Sequence, residues 1–174
     1  TGYVAGDWGL VGKTTNGGLN WTVQSTGASQ IIRSIHFPTN NTGYFVGNFG
    51  TAYRTTNGGL NWVNLNNLQG YLYSIYFIDP NTGFVGGDVT ALKTTDGGLN
   101  WGTFDLPVNS FGSIYFYDNI TGYILSGAKV LKTTNSGLNW NLTYTHNNSW
   151  PSNILDIYFT SSQTGYLTVR SDSL

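Results

Sequence analysis

Five copies of a Thr-Gly-aromatic step divide the chain: Thr1-Gly2-Tyr3, Thr42-Gly43-Tyr44, Thr82-Gly83-Phe84, Thr121-Gly122-Tyr123 and Thr164-Gly165-Tyr166. Their first residues lie 41, 40, 39 and 43 positions apart. A period near forty is in the range of a propeller blade, a unit that cannot bury its apolar face alone and must stack on its neighbours.

Each unit contains four short strand-like runs, A to D, separated by Gly-rich or Asn-rich turns, and four strands make one blade. Run A is clearest in Arg33-Ser34-Ile35-His36-Phe37, Tyr73-Ser74-Ile75-Tyr76-Phe77, Gly112-Ser113-Ile114-Tyr115-Phe116 and Leu155-Asp156-Ile157-Tyr158-Phe159. Residues two apart share a face of a strand, so Ile and Phe fall on one side and Ser or Asp with His or Tyr on the other. Bulk on both faces suits a sheet packed between two others. Run B follows the Thr-Gly pair, run C ends at a basic-Thr-Thr triplet, and run D begins near a Trp. Gly at 24 residues and aromatics at 16% fit short strands and tight turns. Nothing suggests a helix.

The C-to-D connection is nearly invariant. It reads Lys13-Thr14-Thr15-Asn16-Gly17-Gly18-Leu19-Asn20-Trp21, and recurs from Arg54 to Trp62, Lys93 to Trp101 and Lys132 to Trp140. Asn-Gly and Asp-Gly are hairpin signals, because Asn and Asp tolerate positive φ and bond back to their own backbone. In the fourth copy Ser136 replaces the first Gly, which predicts a less ideal version of the same turn, with Gly137 still free to adopt an unusual backbone. The Trp is a large apolar plate that can seal the hairpin against its blade.

This pattern resembles the Asp-box, or bacterial neuraminidase repeat, and with the Thr-Gly-aromatic and Ile-x-Phe elements it is similar to the repeats of photosystem II assembly factor-like propellers. The resemblance implies a propeller in which the box joins strands C and D on the side away from the usual ligand face. The box residues would be Thr14, Asn16, Gly18 and Trp21; Thr55, Asn57, Gly59 and Trp62; Thr94, Asp96, Gly98 and Trp101; and Thr133, Asn135, Gly137 and Trp140. Asn stands for the family's Asp in three copies, and a neutral side chain still makes the local backbone bonds.

The expected fold is therefore all-β, a β-propeller in partial form, with four-stranded antiparallel blades of about forty residues. Its units are a partial blade at 1–24, blades at 30–65, 70–104 and 110–144, and a partial blade at 153–170. Seventeen strands do not divide by four. Either residues 153–160 supply strand A to the first blade and close a four-bladed ring, or further blades flank the chain; the second arrangement is favoured.

Residues repeated in every blade read as architecture, since an active site is used once. The basic column Lys13, Arg54, Lys93 and Lys132 reads likewise, as a solvated edge, as cations resting on aromatic plates, or as a ring facing an acidic partner. Departures from the repeat are more informative. Trp8 and Trp150 are the two Trp outside a box: Trp8 in the B-C turn beside Asp7, Trp150 in the D-A connection that also holds His146. Asn48 and Phe49, and then Asp88, stand at the B-C positions of the next blades. Propeller topology brings B-C and D-A connections to one face, so Trp8, Phe49, His146, Trp150, Asp7, Asn48 and Asp88 form the candidate binding surface.

Catalysis is not expected. Glycoside hydrolysis needs a pair of carboxyl groups, and the acids outside the boxes taken as candidates, Asp7, Asp88, Asp105 and Asp156, carry no distinctive local motif. The arginine cluster, Tyr/Glu pair and acid Asp that the resemblance to Asp-box sialidases implies cannot be placed: the chain has no Glu, and Arg33, Arg54 and Arg170 sit at scattered repeat positions. His36 stands in a Tyr column, as a core substitute, and a lone His146 is a weak metal ligand. No cofactor or metal is expected. With 9% charged residues and a net charge of -1, the chain has no electrostatic footprint for nucleic acid or an anionic membrane. No apolar run approaches the roughly 20 residues that span a bilayer. Cysteine is absent, and five Asn-x-Ser/Thr sequons, at Asn20, Asn40, Asn119, Asn141 and Asn147, follow from composition. The reading is a binding or scaffolding segment of a secreted or cell-surface bacterial protein that recognises a protein or glycan. The alternatives are a fragment of a propeller glycoside hydrolase and an assembly factor for a membrane protein complex.

Overall fold

The computed structural model describes residues 1–88, 91–108, 111–146 and 152–171. These form five antiparallel meanders in chain order: β1 (Gly2–Ala5), β2 (Val11–Thr14) and β3 (Thr22–Gln24); β4 (Ile32–His36), β5 (Gly43–Gly47), β6 (Ala52–Thr55) and β7 (Val63–Asn64); β8 (Leu72–Phe77), β9 (Gly83–Gly87), β10 (Ala91–Thr94) and β11 (Gly102–Thr103); β12 (Ser113–Phe116), β13 (Gly122–Ser126), β14 (Lys129–Thr133) and β15 (Asn141–Thr145); β16 (Ser152–Phe159) and β17 (Gly165–Ser171). Successive blades meet through their A strands, β4 on β8, β8 on β12 and β12 on β16, which is the radial packing of a β-propeller. Residues 153–160 stay in the last sheet. There β16 pairs with β17, Phe159 opposite Gly165, rather than with β1.

The Thr-Gly-aromatic step has a packing reason. In each of the last four blades the Phe ending strand A lays its ring on the Gly that opens strand B. A Cβ on Gly43, Gly83, Gly122 or Gly165 would fall 2.3, 2.6, 2.6 or 2.7 Å from the ring of Phe37, Phe77, Phe116 or Phe159. The aromatic residue after the Gly then stacks on the Phe of the following blade. Tyr3 lies on Phe37 with centroids 3.5 Å apart, Tyr44 on Phe77 at 3.6 Å, Phe84 on Phe116 at 5.5 Å and Tyr123 on Phe159 at 4.4 Å. Each stacked pair adds about 0.5–1.5 kcal/mol beyond its buried area. Side chains on the polar face of strand A tie the same junctions: Ser34 Oγ accepts the Ile75 amide and Ser74 Oγ the Ile114 amide, both at 3.2 Å. His36 Nδ1 accepts the Phe77 amide at 3.2 Å, with its ring stacked on Tyr76.

The C-to-D turns fold alike in all four copies. Thr55 Oγ1, in a side chain 1% exposed, accepts the Gly59 amide at 3.0 Å and donates to Asn57 Oδ1, which accepts the Asn61 amide at 2.9 Å. Thr14, Thr94 and Thr133 repeat this bonding with Asn16, Asp96 and Asn135. Two successive left-handed residues make the bend, and Ser136 adopts φ +57 where the other copies have Gly. Its hydroxyl donates to the Asn119 carbonyl at 2.8 Å, which offsets part of that strain. In Asp96 the Asn100 amide, the Asn100 side chain and the Thr94 hydroxyl hold the carboxyl down to about 2. Trp62, Trp101 and Trp140 meet the Phe of their own strand A edge-on, through Phe37, Phe77 and Phe116. Among the described residues the first sheet has three strands, and there Trp21 is 46% exposed.

The basic column rests on aromatic plates. Lys13, Arg54, Lys93 and Lys132 lie 5.2–5.8 Å from the rings of Tyr3, Tyr44, Phe84 and Tyr123. Lys13 Nζ also donates to the Gly58 carbonyl of the next blade's turn at 2.8 Å, and Lys93 Nζ to that of Gly137 at 3.3 Å. All four cations thus rest on a ring, as the aromatic-plate reading expects, and two of them also bridge a blade junction.

Two measurements test this packing. Gly83→Ala drives a methyl into the Phe77 ring and should destabilise the protein by about 1–3 kcal/mol in chemical denaturation; an unchanged midpoint would contradict the close approach. Burial lowers the His36 pKa from 6.5 to about 4. The unfolded chain therefore takes the proton first, and a contribution of up to about 3 kcal/mol, complete above pH 6.5, is lost as pH falls towards 4. His36→Gln should flatten stability against pH across that window.

Candidate functional site

The rim opposite the C-to-D turns is built from B-C loops locked into D-A connections. In the first two blades the B-C loop is one short turn of the form Asp/Asn-aromatic-Gly: Asp7-Trp8-Gly9 and Asn48-Phe49-Gly50. The Leu10 amide donates to the Asp7 carbonyl and the Thr51 amide to that of Asn48, both at 3.1 Å. Below each turn the Gly presses on the following D-A connection, where a Cβ would fall 2.1 Å from the Ala28 carbonyl oxygen at Gly9 and 2.3 Å from that of Leu68 at Gly50. The Gly9 amide donates to Gln30 and the Gly50 amide to Gly70, at 2.9 and 2.7 Å. With the Gly clamped, the preceding aromatic residue takes the left-handed conformation, φ +59 at Trp8 and φ +55 at Phe49. Both side chains project into solvent, 86% and 67% exposed.

The two loops face each other across the junction of the first blades. The Ile32 amide donates to the Gly6 carbonyl and the Asn48 amide to the Ile31 carbonyl, both at 3.0 Å, which fixes one loop against the other. Between them is a cleft of about 270 Å³ lined by Asp7, Trp8, Ser29, Gln30, Ile31, Asn48 and Phe49. Four of the residues singled out from the sequence, Asp7, Trp8, Asn48 and Phe49, thus come together. Asn48 is 7% exposed and works as a strut, accepting Arg33 Nε on Oδ1 at 3.0 Å. Arg33 lies 5.8 Å from the Tyr73 ring, and the Tyr73 hydroxyl donates to Asp88, which holds the phenol above its ordinary pKa. Tyr71, 38% exposed, packs against Phe49 at 5.1 Å.

Asp88 therefore belongs to the side of this cluster rather than to the cleft. His146 lies on the same rim of the fourth blade, its amide donating to the Ala128 carbonyl at 2.8 Å and its Nδ1 3.1 Å from the Tyr144 hydroxyl. It does not line the cleft. The B-C connection there is the bare turn Gly127-Ala128, with no aromatic tip. Trp150 falls outside the described residues. Among the other acids, Asp105 lines a separate cleft with Leu106, Pro107, Asn139, Trp140 and Asn141, and Asp156 accepts the Ile157 amide. Among the described residues no group of three His, Cys, Asp or Glu is placed to hold a metal, and no helix is long and apolar enough to cross a membrane.

Sequence reasoning missed Arg33, Tyr71 and Tyr73. A signal was present: the position before the Ser or Asp of strand A holds Arg33, Tyr73, Gly112 and Leu155, varying where its neighbours repeat.

No family model and no curated protein matches the chain. Among solved structures it is similar to YCF48 bound to D1 peptide, at 26% identity over 64% of this chain and 40% of that one, with a TM-score of 0.54. It is also similar to YCF48 from Cyanidioschyzon merolae, at 15% identity over 98% and 63% with a TM-score of 0.69, and to an ancestral GH74 enzyme, at 22% identity over 86% and 23% with a TM-score of 0.67. The chain spans less than two thirds of each of these proteins. The two likenesses of lower identity carry the propeller fold, and the first supports relatives of the assembly factor-like kind.

The strained tips give a sharp stability test. Trp8→Gly and Phe49→Gly remove an exposed ring and relieve a left-handed residue, so each should leave stability unchanged or raise it by up to about 1 kcal/mol. A loss above about 2 kcal/mol in denaturant unfolding would make them core residues.

Proposed function

We propose that this chain is a non-catalytic binding segment of a propeller in a secreted or cell-surface bacterial protein, and that it takes a polypeptide stretch of a partner on its B-C/D-A rim. One observation carries the reading: Trp8 and Phe49 are held in a disfavoured backbone conformation that exposes their rings on either side of a cleft. Backbone strain at a rigid, solvent-facing aromatic is a feature of binding sites rather than of packing. The likeness to YCF48 bound to D1 peptide supports a polypeptide as the ligand. Docking on a membrane protein complex as an assembly factor is one form of this reading. The bonding of Thr, Asn or Asp, and Gly in the four turns supports the resemblance to Asp-boxes, and with it a structural role for that rim.

A glycan is the second reading, because Asp7 and Gln30 set hydrogen-bonding groups beside the aromatic faces. A glycoside hydrolase fragment is less well supported, since among the described residues Asp7 is the one carboxylate lining this cleft. Parallel peptide and polysaccharide arrays probed with the intact protein separate these readings. Retention on peptides is expected. Trp8→Ala should weaken it at least about tenfold with little change in thermal midpoint, whereas Trp140→Ala, at a ring 6% exposed, should lower stability by about 3–5 kcal/mol. Retention on polysaccharides alone would overturn the polypeptide reading.

A further inference from the structure

The cleft between the first two blades holds a carboxylate that no described residue uses. Asp7 is exposed, and its carboxylate takes no partner among the described residues. Elsewhere the protein seats cations over rings: Lys13 on Tyr3, Arg33 on Tyr73, Arg54 on Tyr44, Lys93 on Phe84 and Lys132 on Tyr123. Trp8 and Phe49 are the rings that line the same cleft as Asp7, and no described cation sits on either. An indole is the best aromatic face for a cation, and such contacts strengthen where water is excluded. The floor supplies Ile31, an apolar surface along which an alkyl stem can lie with its charged end at the rim.

We propose that this cleft receives a basic side chain of the partner polypeptide, with its ammonium or guanidinium group between the Trp8 and Phe49 faces and paired with Asp7. This rests on the polypeptide reading above and names the chemistry that the site selects. Arg33 does not compete for the place: its Nε is bonded to Asn48, its guanidinium lies over Tyr73, and Asp88, bonded to Tyr73, offsets its charge on that side. A cationic anchor also accounts for the difference between the first two B-C loops. The loop with the Trp carries Asp7, whereas Asn48 in the second loop is consumed as the strut for Arg33.

Titration of the intact protein with acetyl-lysine methylamide, its Nζ-trimethyl form and acetyl-norleucine methylamide, followed through the Phe49 backbone N–H resonance, tests the assignment. The two cations should shift that resonance saturably and the neutral analogue should not. Asp7→Asn and Trp8→Leu should each weaken the cations on the order of fivefold, and because both residues are exposed, an unchanged circular dichroism spectrum shows that the fold is kept. Equal binding of norleucine and lysine derivatives would overturn the cationic anchor, as would binding of the cations that Asp7→Asn and Trp8→Leu leave intact. If the cations fail while array peptides still bind in a Trp8-dependent way, the basic anchor is wrong and the polypeptide reading stands. Failure of both removes the two together.

Discussion

Every blade junction in this protein depends on one contact, a Phe ring lying on a bare Gly and sandwiched by the aromatic residue of the preceding blade. The Gly lets the ring approach its own sheet, and the stack on the other side registers the next sheet at the same height. Because a sheet of four short strands buries too little surface to stand alone, blade stability is set at these junctions. The serines of strand A and the basic residues of strand C reinforce the same contact, one from the backbone of the neighbouring blade and the other from its turn carbonyls.

That arrangement divides the molecule into two unlike rims. On the turn rim, Thr, Asn or Asp, and Gly satisfy one another, and the cations beneath them rest on aromatic rings. On the opposite rim the loops of the first two blades are equally well anchored through Gly9 and Gly50, but the residue before each Gly is displaced outwards. In the first two blades that residue is aromatic, and in the fourth the loop is too short to present one. The scaffold therefore fixes the backbone at Trp8 and Phe49 while leaving both rings largely in solvent, which lowers the ordering cost of a ligand that binds between them.

The strand pattern and turns were legible because period-two alternation and Asn-Gly signals are local properties. The meaning of the Thr-Gly step was not, since the ring that requires Gly43 is Phe37, and the ring that stacks on Phe37 is Tyr3 in the preceding blade. The same distance hid the basic column, whose three readings differ only in what lies across the junction. At the rim, Trp8 and Phe49 could be found because they break the repeat, and topology alone put them on one face with Asp7 and Asn48. The pairing of Arg33 with Asn48 and of Tyr73 with Asp88 was out of reach, because each joins positions fifteen residues apart through the B strand. His146 shows the limit of the topological argument: it shares the rim but belongs to another blade.

Amide chemical-shift mapping of the intact protein with an array-selected peptide tests directly whether the turn rim is architecture and the loop rim is where a partner binds. Shifts confined to Gly6–Gly9, Gln30–Arg33, Asn48–Gly50 and Tyr71–Tyr73 are the predicted result. Shifts centred on Asn16–Trp21 and Asn57–Trp62, with the loop rim silent, would contradict it.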